Sequence, residues 1–299
     1  MPGWKTLFDE TREAGNAHDV VRRKYLAELS RLTGRNTIAY YSGWLQKIPA
    51  NPAGYTALVV NDSDKNGLMA TIHGLDRKQG LDLILHTPGG ESAATESLVD
   101  YLRAMFGTEM RMLVPQIALS AGTMIACAGR EIVMGTHSSL GPIDPQIAGV
   151  PAHGIVEEFK RAGSEIATNP ARIPVWQPII AKYTPTLIGE SEKAIVWATE
   201  MVTEWLKTGM FDGDPHADAK IAKIITELGD HALTKSHARH ISLKKAQDIG
   251  LKVTPLEKDS QLQEAVLSVH HAYIQTLAAT PVLKIIENHA GVAFVTIGG

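Results

Sequence analysis

Short apolar runs alternate with amphipathic segments through the first half of the chain. The apolar runs predict buried strands at residues 56–60, 81–85, 110–114 and 131–134. Apolar residues at helical spacing predict helices at residues 20–32, 67–75, 92–105 and 120–127. Strands and helices that alternate in this way are typical of parallel βαβ units, in which helices cover the sheet. The predicted class is therefore α/β, with functional groups expected at the carboxyl ends of the strands.

The second half of the chain has a mainly helical pattern. Residues 142–185 are rich in proline and predict loops with one helix at 154–161. Further helices are predicted at 193–207, 218–228, 243–250 and 258–277. No repeat or flexible linker divides the chain, so residues 1–299 are expected to form a single domain. Its ends are expected to be an N-terminal helical extension at 1–50 and a C-terminal helical tail at 255–299.

An apolar stripe runs along the helix predicted at 193–207. It contains Trp197, Met201 and Trp205, which recur at every fourth position. Such a stripe is typical of a helix packed on a core, and it also suits a subunit interface, where tryptophan and methionine are enriched.

Composition and charge narrow the possible classes of function. With 44% hydrophobic and 20% charged residues, the chain has the composition of an ordinary soluble globular protein. A formal net charge of −3 gives no global basic field, so nucleic acid is not expected as a partner. A single cysteine, Cys127, excludes an intramolecular disulfide and fits a reducing cytoplasm. Residues 1–35 contain no apolar stretch typical of a secretory signal, so a cytoplasmic location is expected.

One uncharged segment, residues 112–129, has the length of a short membrane-spanning helix. It contains Pro115, Gln116 and Ser120, which divide it better into a strand, a turn and a helix of small residues. Stable membrane insertion is therefore not expected.

Two glycine-marked turns carry the candidate chemistry. The first is His-Thr-Pro-Gly-Gly at 86–90, and the second is Leu-Ser-Ala-Gly-Thr at 119–123; each follows a predicted strand and opens a predicted helix. Taken singly, each is an ordinary turn with a serine as N-cap. Taken together on neighbouring strands, they allow the N–H groups of Gly89 and Ala121 to converge on a carbonyl oxygen that Ser120 attacks.

The same residues carry a family resemblance. The sequence HTPGG, followed by SAGTMIACAGREIVMGTHSSLGPIDPQ at 120–146, resembles the serine dehydrogenase proteinase family. This family belongs to the Clp-type protease and crotonase superfamily and is related to signal peptide peptidase A. Segments 33–45, 176–190 and 268–277 also resemble it, so the resemblance extends over most of the chain.

The resemblance implies a fold, an activity and an assembly. The fold is a Clp-protease/crotonase-like spiral of βαβ units with helical additions at the N- and C-termini. The activity is that of a serine peptidase that hydrolyses polypeptides through an acyl-enzyme, with Ser120 as nucleophile and the Gly89 and Ala121 amides as oxyanion hole. Gly90 shapes the loop that lines the substrate. The assembly is a homo-oligomer, trimer-based or ring-shaped, and no cofactor is expected.

The general base is less well defined than the nucleophile. Clp-type peptidases place a histidine downstream of the serine, in a region that here reads Pro-Ile-Asp-Pro-Gln. Relatives of signal peptide peptidase A use a lysine instead, which must be neutral to accept a proton. Lys182, in an apolar setting, is the first candidate for a Ser–Lys dyad, and Lys193 is the alternative. His137, an arrangement that involves Asp144, and the absence of any base stay open.

Two patterns suggest metal sites but lack the required ligands. Residues 62–67 match the first half of a calcium loop, yet His73 stands where the bidentate glutamate is required. No cysteine or carboxylate cluster accompanies the histidines at 237 and 240 or at 270 and 271. No metal is therefore expected, and the histidine pair on the C-terminal helix is expected to serve packing or an interface.

Two other functions stay open beside the peptidase. A crotonase-like enzyme would use the same oxyanion hole on an acyl-CoA thioester, without a nucleophile; the presence of Ser120 argues against it. A catalytically silent oligomeric scaffold would keep the fold without a base, as the missing histidine allows.

Overall fold

The structure is a computed structural model that describes residues 3–15, 17–47, 52–147, 149–229 and 236–298. The described helices are α1 (Trp4–Glu13), α2 (His18–Thr33), α3 (Pro52–Leu58), α4 (Asp64–Ile72), α5 (Ser92–Phe106), α6 (Ala121–Cys127), α7 (Ala152–Thr168), α8 (Ile173–Ile180), α9 (Leu187–Trp205), α10 (Ala217–Gly229), α11 (Leu243–Ile249) and α12 (Ser260–Ala279). Short 3-10 turns lie at Arg77–Gln79, Pro170–Arg172 and Leu256–Lys258, and a π turn lies at Leu206–Met210.

The described strands form one large and two small sheets. They are β1 (Asn36–Ser42), β2 (Leu81–His86), β3 (Met110–Val114), β4 (Ile117–Ala118), β5 (Glu131–Met134), β6 (Ser139–Leu140), β7 (Gln146–Ile147), β8 (Val150–Pro151), β9 (Ile241–Ser242), β10 (Val253–Pro255), β11 (Val282–Asn288) and β12 (Ala293–Ile297). The seven-stranded sheet has the order β10-β5-β3-β2-β1-β11-β12, and a three-stranded sheet has the order β4-β6-β9.

The large sheet is mostly parallel. Strands β10, β5, β3, β2 and β1 run parallel to one another, whereas β11 pairs antiparallel with β1 and β12 pairs antiparallel with β11. The predicted α/β class is confirmed. The parallel strands all end at one edge of the sheet, and the turn after β2 therefore opens at that edge.

Helices cover both faces of this sheet. Alternate strand residues point to opposite layers, so that Tyr40 packs with α4, α5 and α6 while Tyr41 packs with α2 and α12. Strands buried on both faces appear in sequence as continuous apolar runs, which is why the segments of β2 and β3 were recognisable.

A buried ion pair fixes the segment that precedes α4. Lys284 Nζ on β11 lies 2.7 Å from Asp64 Oδ1 and donates to the Val59 carbonyl at 2.6 Å. Tyr40 Oη also donates to Asp64 Oδ2, at 2.6 Å. The backbone of Val60 is also fixed, because its N–H donates a hydrogen bond to the Gly89 carbonyl at 2.8 Å. The network therefore braces the backbone next to the first glycine-marked turn.

Most element predictions are confirmed, with shifts of a few residues at their ends. Helices α2, α4, α5, α6, α9, α10, α11 and α12 and strands β2, β3 and β5 lie where they are expected. The uncharged segment 112–129 divides into strand, turn and helix as predicted, through β3, β4 and α6. None of the described helices combines the length and the apolar character needed to cross a bilayer.

Two predictions of secondary structure inside the chain are wrong. Residues 56–60 are not a strand, because α3 extends to Leu58 and Val60 makes only an isolated bridge with Gly90. The region 142–185 is more helical than predicted: α7 is long, and α8 begins with a proline in its first turn and tolerates Pro178 inside.

The ends of the chain also differ from the expectation. The C-terminal region 255–299 is not a purely helical tail, since β11 and β12 follow α12 and extend the sheet. The N-terminal region 1–50 contains β1, an interior strand between β2 and β11, besides its helices. Both ends are therefore part of the main sheet. The single domain over 1–299 stays a prediction.

The apolar stripe of α9 divides between core and surface. Met201 and Trp205 are buried in the core, as predicted for a helix that packs on a core. Trp197 is 37% exposed and its indole N–H donates to Glu96.

Candidate active site

The two glycine-marked turns lie in direct contact. Thr87, after β2, pairs with the end of β4: its N–H donates to Ile117 O at 3.2 Å, and its carbonyl accepts from Leu119 N at 3.0 Å. A Cβ added at Gly89 would lie 2.6 Å from Ser120 Cβ and 2.9 Å from Ala121 N. The structure thus brings together Ser120, Gly89 and Ala121.

Ser120 has a strained backbone. Its φ is 50° and its ψ is −118°, and it shares a positive φ with one other non-glycine residue of those described, Thr186. Such a conformation costs about 1–3 kcal/mol and persists where the surroundings impose it. Here the Gly122 N–H donates to Leu119 O at 2.8 Å and the Met124 N–H donates to Ser120 O at 3.0 Å. The tight turn aims the serine side chain outward from the start of α6.

The side chain of Ser120 does not cap its own helix. No hydrogen bond joins Ser120 Oγ to the first-turn amides of α6. The N-cap role that is usual for a serine at this position is therefore absent. A strained serine that leaves its helix uncapped keeps its hydroxyl available for another partner.

The amides beside Ser120 differ in their present partners. Among the described residues, no acceptor takes the Ala121 N–H, as is usual for the first residue of a helix. The Gly89 N–H donates to Thr87 Oγ1 at 3.2 Å, a long bond within its own turn. A substrate oxygen can therefore take one amide directly and the second by displacing the threonine hydroxyl.

Gly90 is packed backbone against backbone. A Cβ at this position would collide with Val60 O, and the neighbouring Glu91 N–H donates to that same oxygen at 2.9 Å. Only glycine allows so close an approach. The Gly90 backbone is thereby fixed at the wall of the cavity that Ser120 also lines.

Ser120 opens into a cavity of about 510 Å³. Gly89, Gly90 and Ala121 line it beside the serine, and Met124 and Tyr55 supply apolar surface. A volume of this size suits a ligand of several residues or a small molecule. The opposite wall is formed by residues 143–146 together with His237.

A buried threonine holds that opposite wall near the serine. Thr123 Oγ1 on α6 donates to Ala118 O at 2.8 Å and accepts from the Gly141 N–H at 2.9 Å. The loop after β6 is thereby fixed to the helix that Ser120 begins. This loop carries Asp144, whose side chain is fully buried and accepts a 2.9 Å hydrogen bond from His237 Nδ1.

The candidate lysines lie away from the cavity. Lys182 is exposed on the connection between α8 and α9. Lys193 is 76% exposed at its side chain and pairs with Glu190 at 3.0 Å. Neither lines the Ser120 cavity: Lys182 follows α8 and Lys193 lies within α9. None of the described lysines lines this cavity.

Sequence reasoning missed His237. The sequence pattern gives His237 no metal role, because no cysteine or carboxylate cluster accompanies it and His240 at ligand spacing. The sequence leaves open a base arrangement that involves Asp144, and in the structure His237 is the hydrogen-bond partner of Asp144. Nothing in the local sequence around position 237 indicates this contact across 93 residues. His137, the other alternative, bonds to Pro115 O through Nε2 at 2.9 Å.

The lone cysteine is not a second nucleophile. Cys127 ends α6 and is fully buried. Burial in apolar surroundings raises the pKa of its thiol to about 12. The thiolate, which is the reactive form, is therefore scarce at neutral pH.

His86, the first residue of the first glycine-marked turn, has a buried and neutral side chain. Its ring packs against Trp44 at 4.4 Å and His270 at 5.3 Å between centroids. Neither ring nitrogen has a hydrogen-bond partner among the described residues. Burial lowers the pKa of His86 to about 3, and it lowers the pKa of His270 as well.

The buried His86 side chain predicts that the folded protein loses stability in acid. An unfolded histidine takes up a proton near pH 6.5, whereas folded His86 resists protonation until about pH 3. The unfolded state therefore binds more protons in this window, and stability is lost as the pH falls from about 6.5 towards 3. We expect His86→Phe to flatten the fall of the melting temperature between these limits, as measured by circular dichroism. His73→Phe, at an exposed histidine, is the control; equal slopes in wild type and His86→Phe would refute the account.

Comparison with known proteins places the chain in a family. The mostly parallel sheet with its covering helices is a ClpP-like α/β fold. A family model described as ClpP-like SDH-type serine proteinase matches residues 48–290. The chain belongs to this family, as the motifs at the two turns predict.

Two relatives from Methanocaldococcus jannaschii are similar over most of the chain. Uncharacterized protein MJ1495 is 28% identical over 227 residues, which cover 76% of this chain and 68% of the relative. Uncharacterized protein MJ0137 is 29% identical over 224 residues, which cover 74% of this chain and 67% of the relative. Their names carry no activity.

Proposed function

We propose that the protein is a serine peptidase that hydrolyses polypeptides through an acyl-enzyme on Ser120. The observation that carries this proposal is the strained, uncapped serine between the Gly89 turn and the open Ala121 amide. Strain at one residue is retained where the surroundings require a particular side-chain direction. Membership of the serine proteinase family supports the same reaction.

The geometry suggests how the two turns act. Ser120 Oγ attacks the carbonyl carbon of the scissile peptide, and the carbonyl oxygen becomes an oxyanion. The Ala121 and Gly89 amides donate to that oxygen, and the start of α6 adds its positive dipole end. The oxyanion then reforms the carbonyl, the C–N bond breaks, and water later releases the acyl group.

The substrate, the assembly and the location of the enzyme are proposed together with the reaction. The substrate is a polypeptide segment that lies in the cavity beside Gly90. We also propose that the chain assembles into a homo-oligomer, trimer-based or ring-shaped, because Trp197 and Val196 leave apolar surface exposed on α9. We also include a cytoplasmic location. A lysine base, Lys182 or Lys193, would have to come from a rearranged segment or a second subunit.

A comparison of substrates tests the reaction class. The purified protein is incubated with an unfolded polypeptide and, separately, with an acyl-CoA thioester, and the products are identified by mass spectrometry. We expect new peptide termini and no processing of the thioester. Thioester turnover without peptide release would instead support a crotonase-like enzyme. A folded protein that processes neither substrate would contradict the proposal and support a silent scaffold.

A further inference from the structure

We propose that Lys284 and Asp64 are positioning residues for the oxyanion hole. This inference rests on the proposed serine peptidase reaction at Ser120, and it gives a role in that reaction to a buried ion pair outside the cavity. Neither Lys284 nor Asp64 lines the space of about 510 Å³ that contains Ser120. Both residues act on the site through the backbone of Val60.

The turn formed by Gly89 and Gly90 cannot fix its own shape. Gly89 has a φ of +100°, and glycine has more backbone freedom than any other residue. An oxyanion hole lowers the reaction barrier only when its N–H groups already point to the position where negative charge develops. A turn of two glycines therefore needs restraint from a neighbouring segment if the Gly89 amide is to act in this way.

Val60 supplies a restraint on both sides of Gly90. Its N–H donates to the Gly89 carbonyl at 2.8 Å, and its carbonyl accepts from the Glu91 N–H at 2.9 Å. These bonds form an isolated parallel bridge between Val60 and Gly90, and α3 has already ended at Leu58. Because Val60 is not part of a longer strand, it can hold the turn only as firmly as its own backbone is held.

The ion pair holds the residues on either side of Val60. Lys284 Nζ donates to the Val59 carbonyl at 2.6 Å, and Asp64 Oδ2 accepts from the Asn61 N–H at 3.1 Å. Lys284 Nζ also lies 2.7 Å from Asp64 Oδ1 and 3.0 Å from Asp64 Oδ2. The ammonium and carboxylate groups therefore connect the backbone before Val60 to the backbone after it.

A contribution to stability is a weak explanation for this ion pair. The side chains of Lys284 and Asp64 are 1% and 0% exposed, so both charges lose their hydration when the chain folds. Buried ion pairs can often be replaced by uncharged side chains at little cost in stability. Here the three N–H donors of the ammonium have the Val59 carbonyl and both Asp64 oxygens as partners, and Tyr40 Oη donates to Asp64 Oδ2 at 2.6 Å. A complete set of short hydrogen bonds fixes the geometry of the backbone, which is what the glycine turn requires.

A second buried ion pair on β11 provides a matched control. Glu287 follows Lys284 on this strand and pairs with Arg22 at 2.8 Å; the Arg22 and Glu287 side chains are 6% and 0% exposed. Tyr273 Oη also donates to Glu287 Oε2 at 2.8 Å. The described partners of Glu287 lie on α2 and α12, and none of them belongs to residues 59–64 or to the first glycine-marked turn.

The steady-state kinetics of polypeptide hydrolysis test the positioning role. The double variant Lys284→Met with Asp64→Asn is compared with Arg22→Met with Glu287→Gln on a fluorescently labelled unfolded polypeptide. We expect kcat of the first double variant to fall about 10- to 100-fold with KM near the wild-type value, because the oxyanion donors are displaced while substrate binding is kept. The control double variant also loses a buried ion pair, and it is expected to keep the wild-type kcat.

Hydrogen exchange gives a second measurement that does not depend on activity. The exchange of residues 89–91 is followed by mass spectrometry in the wild type and in both double variants. We expect faster exchange of the Glu91 amide in the Lys284→Met and Asp64→Asn variant, because the Val60 carbonyl that accepts from it is no longer held. The control double variant is expected to exchange these amides at the wild-type rate.

The outcomes separate this inference from the proposed function. A wild-type kcat in the folded Lys284→Met and Asp64→Asn variant, or an equal loss in the control, would overturn the positioning role and leave Ser120 as nucleophile. A wild-type protein that hydrolyses no polypeptide would overturn the proposed function; the exchange rates then decide alone whether the ion pair holds the turn, and unchanged rates would overturn that as well. If the first double variant does not fold, Tyr40→Phe takes its place, since it removes one hydrogen bond to Asp64. It is expected to lower kcat with KM unchanged, and a wild-type kcat would overturn the inference.

Discussion

Ser120→Gly is expected to abolish polypeptide hydrolysis and, at the same time, to stabilise the fold. The loss of activity should reach about 10⁴- to 10⁶-fold, because the nucleophile is removed. The gain in stability should be about 1 kcal/mol, because glycine accepts a φ of 50° and a ψ of −118° without strain. Part of the relieved strain is offset by the greater freedom of glycine in the unfolded chain.

Ser120→Ala is the matched control for this effect. Alanine removes the hydroxyl but keeps a Cβ, so the backbone strain stays. We expect this variant to be equally inactive and no more stable than wild type in urea unfolding. If Ser120→Gly unfolds at the same or a lower urea concentration than Ser120→Ala, the backbone conformation of Ser120 does not lower the free energy of unfolding. If either variant keeps wild-type hydrolysis, Ser120 is not the nucleophile.

Gly89→Ala is expected to have the second-largest effect on activity. Gly89 has a φ of +100°, and an added Cβ would lie 2.6 Å from Ser120 Cβ, 2.8 Å from Leu119 O and 2.9 Å from Ala121 N. Loss of one oxyanion-hole donor typically lowers turnover about 10²- to 10³-fold. Here the methyl group also displaces the serine turn, so the decrease in hydrolysis should be at least this large.

Gly74→Ala separates the contact from the backbone strain. Gly74 also has a positive φ, +80°, but nothing lies within 4 Å of an added Cβ. This variant should lose about 1–2 kcal/mol of stability and keep its specific activity. Gly89→Ala should lose both stability and specific activity, as measured by thermal unfolding and by initial rates on an unfolded polypeptide. Full activity in folded Gly89→Ala would contradict the place of the Gly89 amide in an oxyanion hole.

The sequence predicted the serine turn well because its signals are local. Buried parallel strands appear as apolar runs, and glycine marks a turn directly after β2 and another after β3 and the short strand β4. The positions of Ser120 and Gly89 follow from those signals alone. Their contact follows from the order of β2 and β3 in a parallel sheet, with the short strand β4 pairing on the first turn.

Other features could not be predicted because they depend on distant contacts. The bond between His237 and Asp144 spans 93 positions, and the pairing of β9 with β6 brings it about. Strand β11 contains Lys284, a residue that is unfavourable inside a sheet until Asp64 is placed opposite it. Its pattern is therefore ambiguous without the tertiary partner. Lys182 does not line the Ser120 cavity, because its apolar neighbours at 179–181 belong to a surface helix end and not to a buried cleft.

The most direct test of the serine peptidase account is the site of covalent labelling. Wild-type protein is treated with a fluorophosphonate, digested, and mapped by mass spectrometry, with Ser92 as an internal comparison because it lines the same cavity. The account predicts a single phosphonyl group per chain, on Ser120. A folded protein that is unlabelled, or labelled on Ser92 in place of Ser120, would contradict it.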